Sequence, residues 1–299
     1  MNATHPSLLI LGATGMLGRA LLAEGVARHV PVTGVARSGA EESVDLLDDD
    51  ALLRLVERRR PGIIVNAAAL VDLAGCERDP GLAYRINARG VAILAEAARR
   101  QGAWLIQIST DHYFTGDGAQ PHDETAAPRL LNEYARGKLA GEHFALTASA
   151  ALVVRTNIVG FRGRGAPTFV EWILREFRND RTIRAFEDYF VSSLSARQCA
   201  RCLFDLLPWR PTGILNLAAG EVFSKRRFIE AVREGLMGGR GTIEPARVSE
   251  LGTPPRAESL GLDVRRIEAL LGRAMPTLNE VVADLAAELN GDQKCVMTA

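Results

Sequence analysis

The first half of the chain alternates short apolar runs with stretches of helical periodicity. The apolar runs are nearly continuous, which is typical of strands buried on both faces of a parallel sheet. They predict five strands, at 8–11, 30–36, 62–69, 103–110 and 151–156. The stretches between them predict helices at Met16–Ala27, Asp48–Arg59, Leu82–Arg100 and Tyr134–Leu146. Strands separated by helices indicate βαβ units, so the pattern predicts an α/β fold with a Rossmann-type doubly wound parallel sheet.

The alternation becomes less regular after about residue 157, where the loops lengthen. Periodic segments there predict helices near 168–178, 196–207, 224–235, 263–271 and 277–289, and strands near 182–186 and 213–217. We therefore predict a Rossmann domain at 1–156 and a smaller C-terminal lobe at 157–299, interleaved with the end of the main sheet.

Composition excludes several classes of protein. The 299 residues contain 36 Lys and Arg and 36 Asp and Glu, so no overall charge attracts nucleic acid. No apolar run reaches the 18 residues or so of a membrane span, and the N-terminus lacks the pattern of a signal peptide. Cysteines are few, and Cys199 and Cys202 lie on a predicted helix without nearby histidines. We expect packed thiols, no metal site, and a cytoplasmic protein with no membrane or nucleic-acid partner.

A glycine-rich turn follows the first predicted strand and opens the first predicted helix. Small residues at such a position allow a tight turn and let the backbone approach a pyrophosphate at the helix N-terminus. A turn that only packs helix against strand is the alternative interpretation, but the position in the chain favours an NAD(P)-binding domain at 1–156. The candidate cofactor residues of this turn are Gly12, Thr14, Gly15, Met16, Leu17 and Gly18.

The residues after the second predicted strand bear on the choice of cofactor. Sites that prefer NAD often carry an acidic residue there, whereas this chain has Arg37 and Ser38. Both side chains suit a 2′-phosphate, so we expect NADP(H), with NAD(H) as the alternative cofactor. Arg37 as a merely solvated loop residue is the other interpretation. Asp45 and Leu46 are expected along the adenine.

Hydroxyl-bearing residues end the fourth predicted strand, and a tyrosine and a lysine follow one helical turn apart. Ser109 and Thr110 stand at the carboxyl edge of the sheet, where open parallel sheets bind ligands. Tyr134 and Lys138 are separated by about 6 Å along a helix and share a face. Alone, this pair is typical of a surface helix.

Together, these features resemble the extended short-chain dehydrogenase/reductase superfamily and, more narrowly, the dTDP-4-dehydrorhamnose reductase family. The segments that carry the resemblance include GATGMLG, INARG, ISTDHYF, NEYARGKLAGE and VVRTNIVG. It implies an NADP(H)-dependent reductase of a keto-sugar, in particular a nucleotide-linked 4-keto-6-deoxy sugar, with a C-terminal lobe that binds the substrate. It also implies a homodimer. An epimerase or dehydratase that retains NAD, and a non-catalytic reductase-like regulatory subunit, are the alternatives.

The resemblance implies a role for each catalytic candidate. Tyr134 would donate the proton, and Thr110 would orient the substrate oxygen, with Ser109 as the other candidate hydroxyl. Lys138 would bring the phenol pKa, ordinarily near 10, closer to the working range and would bind the nicotinamide ribose.

A second polar and small-residue segment ends the third predicted strand at the same edge. The small side chains of Ala67, Ala68 and Ala69 would let the cofactor lie close. Asn66 either belongs to this cofactor surface or bonds the backbone at the strand end.

Departures from the family's pattern cluster on the substrate side. His112 stands where the family has a tyrosine, Ile158 where it often has a tryptophan, and DYFVSSLS at 188–195 replaces a segment with Gly and Pro. Leu73–Gly75 also differs from the usual Val-Asp-Lys. The reaction is expected to persist with a different keto-sugar or a non-nucleotide ketone as substrate. The substrate candidates are Thr110, Asp111, His112 and Asn157, and the candidates for a diphosphate are Arg155, Arg162, Arg164 and Arg184.

Overall fold

The computed structural model describes residues 7–163 and 165–297, and side chains up to residue 291. The α-helices are α1 Met16–Ala27, α2 Asp49–Arg59, α3 Leu73–Arg78, α4 Pro80–Tyr84, α5 Gly90–Gln101, α6 Glu133–Ala145, α7 Phe169–Arg178, α8 Ala196–Asp205, α9 Lys225–Met237, α10 Arg265–Leu271 and α11 Leu278–Met297. A π-helical turn covers Arg85–Arg89 and a 3₁₀ turn covers Val248–Glu250. Within the described residues, no helix combines the length and the apolar character that crossing a bilayer requires.

The strands are β1 Leu8–Leu11, β2 Val32–Ala36, β3 Glu42–Ser43, β4 Ile63–Asn66, β5 Trp104–Ile108, β6 Ala151–Arg155, β7 Ile158–Val159, β8 Ile183–Phe186, β9 Phe190–Val191, β10 Leu194–Ser195, β11 Gly213–Asn216, β12 Phe223–Ser224, β13 Ile243–Ala246 and β14 Ser259–Leu260. Seven of them form one sheet in the order β11-β6-β5-β4-β1-β2-β3. Every neighbouring pair in this sheet is parallel, which confirms the predicted doubly wound α/β fold.

The remaining strands form small sheets outside the main one. Their pairings are β7 with β10, β9 with β12 and β14, and β8 with β13. β11 comes from the C-terminal part of the chain but pairs with β6 in the main sheet. The boundary between residues 156 and 157 stays a prediction.

Both faces of the main sheet are buried, which explains its unbroken apolar strands. In β1, Leu9 and Leu11 belong to a hydrophobic cluster that includes α2 and α5. Leu8 and Ile10 belong to the larger cluster on the opposite face, which continues into the C-terminal part of the chain. Successive side chains of a strand point to opposite faces, so four consecutive leucines and isoleucines serve two cores.

The helix predicted at Leu82–Arg100 is confirmed, but it contains a π-helical turn that the sequence did not predict. α4 and α5 are joined by the π-helical turn, and Asn87 in that turn is buried. Its side chain accepts a hydrogen bond from Leu70 N (2.8 Å) and donates one to Leu70 O (2.9 Å). A π turn inserts one extra residue per turn and often marks a functional region. Here it turns an amide towards the loop after β4.

The turn between β1 and α1 depends on the absence of side chains at two positions. Gly12 has φ +79°, a conformation that L side chains rarely adopt. A Cβ at Gly18 would lie 2.1 Å from Gly12 O. The helix therefore begins in direct backbone contact with the end of the strand.

We predict that Gly18→Ala destabilises the protein by about 1–3 kcal/mol, because the added methyl group forces α1 away from the turn. Urea unfolding measures this change. Gly252→Ala is the matched control, since a Cβ there meets nothing within 4 Å, and it should change stability by less than about 0.5 kcal/mol. Equal stability of the two variants would contradict the close helix–strand contact.

Candidate active site

The predicted site residues follow the carboxyl ends of adjacent strands in the main sheet. Gly12 follows β1, Arg37 follows β2, Ala67 follows β4 and Ser109 follows β5. The in-register pairing of Asn66 with both Leu11 and Gln107 brings these ends level with one another. Because the strand order changes direction next to β1, this edge is where such sheets form a ligand cleft.

The glycine turn lies directly against the segment after β4. A Cβ at Gly12 would be 2.8 Å from both Ala67 C and Ala68 N. Gly15 caps α1 without a side-chain hydrogen bond, and the first turn of the helix has no acidic residue. The two segments predicted to hold the cofactor therefore form one surface beside a helix N-terminus. Leu17 packs its side chain in the core, which leaves only its backbone for a ligand.

The loop after β2 leaves a guanidinium exposed. Arg37 and Ser38 are exposed, and the guanidinium of Arg37 forms no ion pair with any part of the chain that the structure describes. The Thr14 methyl group lies 3.9 Å from where a Cβ of Gly39 would stand, so the glycine turn borders this loop. Asp45 is also exposed, and its Oδ1 accepts a hydrogen bond from Leu47 N (3.0 Å).

Both polar atoms of the Asn66 side chain form hydrogen bonds within the protein. It donates to Gln107 Oε1 (2.8 Å) and accepts from Ala68 N (3.2 Å). Of the two predicted roles for Asn66, the structure favours bonding at the strand end. Asn87, which sequence reasoning missed, acts on the same loop two residues further on. The INARG motif that contains Asn87 contributed to the family resemblance, but it did not indicate the contact with Leu70.

Tyr134 and Lys138 are both buried on α6, one turn apart. The helix begins just before them because the side chain of Asn132 accepts a hydrogen bond from Ala135 N (2.9 Å). Burial raises the pKa of Tyr134 to about 12, and a hydrogen bond with the Thr110 side chain opposes this rise. Burial lowers the pKa of Lys138 to about 8.

The lowering of the phenol pKa expected from Lys138 stays a prediction. The ammonium of Lys138 donates to Ile108 O at 2.7 Å, and it is not among the groups that shift the pKa of Tyr134. Helical spacing placed the two side chains on one face, but the carbonyl at the end of β5 determines where the ammonium points.

The two candidate hydroxyls point to different surroundings. Ser109 Oγ donates to Glu142 Oε1 (2.6 Å) and lies 3.2 Å from the hydroxyl oxygen of Tyr113. Thr110 Oγ1 instead accepts a hydrogen bond from His112 N (3.2 Å), and the Thr110 side chain lowers the pKa of Tyr134. This difference favours Thr110 as the hydroxyl that faces a reacting group.

Two of the four arginines expected at a diphosphate form ion pairs with carboxylates of the protein. Arg155 is buried and forms an ion pair with Glu142, whose carboxylate lies 2.8 Å from Arg155 Nη2. Arg184 pairs with Glu250 at 2.6 Å. Arg164 lies outside the described residues, and Arg162 stays a prediction. The diphosphate role predicted for Arg155 is wrong, because a buried carboxylate already uses its charge.

The predicted substrate residues come together beside Tyr134. Asp111 is buried, and its carboxylate accepts a hydrogen bond from Asn157 Nδ2 (2.7 Å). The other polar atom of the Asn157 side chain, Oδ1, accepts a hydrogen bond from Ser193 Oγ (2.7 Å). Burial raises the pKa of Asp111 to about 7. Its carboxyl group is therefore partly protonated at neutral pH, which lets it donate as well as accept hydrogen bonds.

His112 packs edge-on against the ring of Tyr134, with 5.8 Å between ring centroids. Burial lowers the pKa of His112 to about 4, with smaller contributions from the charges of Lys225 and Arg256. Its Nδ1 is buried without a hydrogen-bond partner in the described structure. The imidazole is thus neutral at physiological pH and retains an unused polar atom in the cleft.

Comparisons with known proteins give the family and the fold of the chain. Residues 6–290 match the family described as the RmlD substrate binding domain. The dTDP-4-dehydrorhamnose reductase of Streptomyces griseus is 35% identical over 71% of this chain and 70% of its own length. The crystal structure of the dTDP-4-dehydrorhamnose reductase of Bacillus anthracis in complex with NADP has a TM-score of 0.84 at 24% identity, over 95% of this chain and 99% of that one.

A further solved structure has the same fold at lower identity. The Bordetella bronchiseptica enzyme WbmG, in complex with NAD and UDP, has a TM-score of 0.80 at 20% identity, over 95% of this chain and 94% of that one.

We predict that Arg155→Met destabilises the protein by about 3–5 kcal/mol in urea unfolding, because it leaves the buried carboxylate of Glu142 unpaired. Arg136→Met is the control on α6. It removes an exposed pair with Glu133 and should cost no more than about 1 kcal/mol. An Arg155→Met variant as stable as this control, but with weakened binding of a nucleoside diphosphate, would restore the diphosphate role.

Proposed function

The chain belongs to the RmlD substrate binding domain family, together with dTDP-4-dehydrorhamnose reductases, and we propose that it is an NADP(H)-dependent reductase of a nucleotide-linked 4-keto-6-deoxy sugar. The observation that carries this proposal is the meeting of Thr110, Tyr134 and Lys138 at the sheet edge that also holds the glycine turn. The predicted oxidoreductase class is confirmed, since the curated relatives of the family are named reductases.

The backbone surface formed by Gly12 and Ala67–Ala68 suits a dinucleotide. A side chain at residue 12 would fill the space between these segments, so the cradle needs its glycine. The amides at the start of α1 have no side-chain cap and would bind the pyrophosphate. The nicotinamide supplies the hydride when it is bound.

The chain's own contribution to the reaction is a proton at the Tyr134 hydroxyl. With a pKa raised to about 12, this phenol stays protonated at neutral pH and is a proton donor rather than a base. We assign to Thr110 a hydrogen bond with the carbonyl oxygen that receives this proton, and its interaction with Tyr134 supports this role. Lys138 adds positive charge in a buried region, which stabilises the oxygen anions that form during reduction.

Two observations support NADP(H) over NAD(H). The residues directly after β2 are Arg37 and Ser38 rather than an acidic residue, and Arg37 offers an exposed guanidinium without an ion-pair partner among the described residues. The NADP complex of the Bacillus anthracis reductase is consistent with this choice. An epimerase that retains NAD would not need such a cation. Dimerisation and the identity of the nucleotide stay predictions.

We expect Tyr134→Phe to reduce keto-sugar turnover with NADPH by about 10²- to 10⁴-fold, because the hydroxyl that donates the proton is gone. The dissociation constant of NADPH should change by less than about twofold, since the ring remains. Stopped-flow loss of NADPH absorbance and fluorescence titration measure the two quantities.

Tyr84→Phe is the control for this substitution, because Tyr84 is exposed on α4. It should leave both quantities unchanged. If Tyr134→Phe turned over the substrate as fast as the parent, the proton would have another source. NADP⁺ released in a one-to-one ratio with product distinguishes a reductase from an enzyme that recycles bound NAD.

Arg37→Ala tests the cofactor choice. It should weaken NADPH binding about 10- to 100-fold, the cost of losing charge-assisted hydrogen bonds to the 2′-phosphate, and leave NADH binding almost unchanged. Fluorescence titration with both cofactors measures the ratio. Arg54→Ala removes another exposed arginine and should not alter it. Equal losses for NADPH and NADH would argue against a phosphate contact.

A further inference from the structure

Lys225, the first residue of α9, carries a cation close to the candidate substrate residues, and the stability of the fold does not require this charge. Three basic residues, Lys225, Arg226 and Arg227, begin this helix, and its first turn has no acidic residue. Cations at a helix N-terminus oppose the helix dipole. Arg226 is compensated by Glu187 and Glu230, and Arg227 is exposed to solvent. The position of Lys225 is not explained by helix stability.

The ammonium of Lys225 is held by aromatic faces instead of by a carboxylate. Its Nζ lies 4.2 Å from the ring centroid of Phe169 and 5.3 Å from that of Tyr189. The Lys225 backbone is fixed in turn, since its N–H donates to Tyr189 O (2.8 Å). Cation–π contacts stabilise the charge but leave its N–H donors available. No hydrogen bond or salt bridge of this ammonium occurs within the described part of the chain.

The groups around this ammonium belong to the catalytic end of the cleft. Burial lowers the pKa of Lys225 to about 8, the Asp111 carboxyl opposes this shift, and Arg256 adds to it. Lys225 and Arg256 both lower the pKa of His112. Two cations therefore act on a region with one buried carboxyl, and Asn157 already hydrogen-bonds that carboxyl. A further carboxylate, Glu258, acts on Tyr189, but it accepts hydrogen bonds from Thr115 Oγ1 (2.6 Å) and Gly116 N (2.6 Å) and forms no ion pair with Lys225 or Arg256 in the described structure.

We propose that Lys225 binds an anionic oxygen group of the substrate, with the exposed Arg256 adding positive charge on the same side. This inference rests on the proposed reductase function and names the residue that would select its substrate. The same chemistry has two sources in a nucleotide-linked sugar, the diphosphate and a carboxylate on the sugar ring. Because Asp111 is next to Thr110, the anion would bind close to the reacting carbonyl rather than at a remote surface.

The test measures the binding of defined probes by calorimetry, with saturating NADP⁺ to fill the cofactor surface. The probes are dTDP and UDP, the nucleosides thymidine and uridine, and the glucose and glucuronate derivatives of both nucleotides. Lys225→Met removes the charge but keeps an unbranched side chain against the two rings. Arg227→Met, on the same helical turn, is the matched control, and Lys225→Arg keeps the charge.

We expect Lys225→Met to weaken anionic probes about 10- to 100-fold, with Lys225→Arg and Arg227→Met close to the parent and thermal unfolding of all variants similar. Weakening of dTDP or UDP identifies the diphosphate as the anion. Weakening confined to the glucuronate derivatives identifies a sugar carboxylate.

The inference is overturned if Lys225→Met binds every probe as Arg227→Met does, or if the parent binds none of the anionic probes. Failure of the proposed function has a different signature, because the parent would then bind no NADP⁺ or reduce no keto-sugar. Titration without NADP⁺ still measures the role of Lys225 in that case.

Discussion

The buried carboxylate of Glu142 connects the helix of Tyr134 and Lys138 to the strand ends on which the site is built. It accepts hydrogen bonds from Ser109 Oγ at the end of β5 and from the guanidinium of Arg155 at the end of β6. A fully buried charge is tolerated only when its hydrogen-bonding capacity is satisfied. The placement of α6 against the ends of β5 and β6 therefore depends on a buried ion pair.

Burial, rather than pairing of charges, determines the chemistry of the cleft. It raises the pKa values of Tyr134 and Asp111 and lowers those of Lys138 and Lys225. Each shift favours the neutral form, since a charge loses hydration when it enters the protein. Of these groups, Lys138 and Lys225 would gain from contact with an anion, because it would replace part of the hydration that their charges lose on burial.

The sequence predicted the main sheet well because its strands and helices are set by local patterns. The bounds of α1 agree with the prediction to the residue, and α2 begins one residue after its predicted start, with Asp48 as its N-cap. The π turn was not predictable, because its cause is the bonding of Asn87 to Leu70, a contact between separate segments. The two-residue strands of the small sheets are too short to give a periodic signal.

The candidate site was predictable where the types of residues and their spacing along the chain indicate the chemistry. Tyr134, Lys138 and Thr110 stand out through residue type and position, and the structure brings them together. Arg155 was misassigned because its partner, Glu142, lies on a different element. Lys225 was missed because a basic run after a serine is typical of an exposed helix start. Its role depends on the rings of Phe169 and Tyr189, which only folding brings near.

The small sheets carry residues near the candidate substrate side, whereas the seven-stranded sheet carries the glycine turn and Thr110. Tyr189 and Ser193, which support Lys225 and Asn157, flank strands β9 and β10, and neither strand pairs with the seven-stranded sheet in the described structure. Replacing residues in this segment would leave the hydrogen bonds between the strands of the seven-stranded sheet in place. Under the proposed function, the surroundings of the substrate could therefore change during evolution while the sheet edge that carries the glycine turn and Thr110 stays the same.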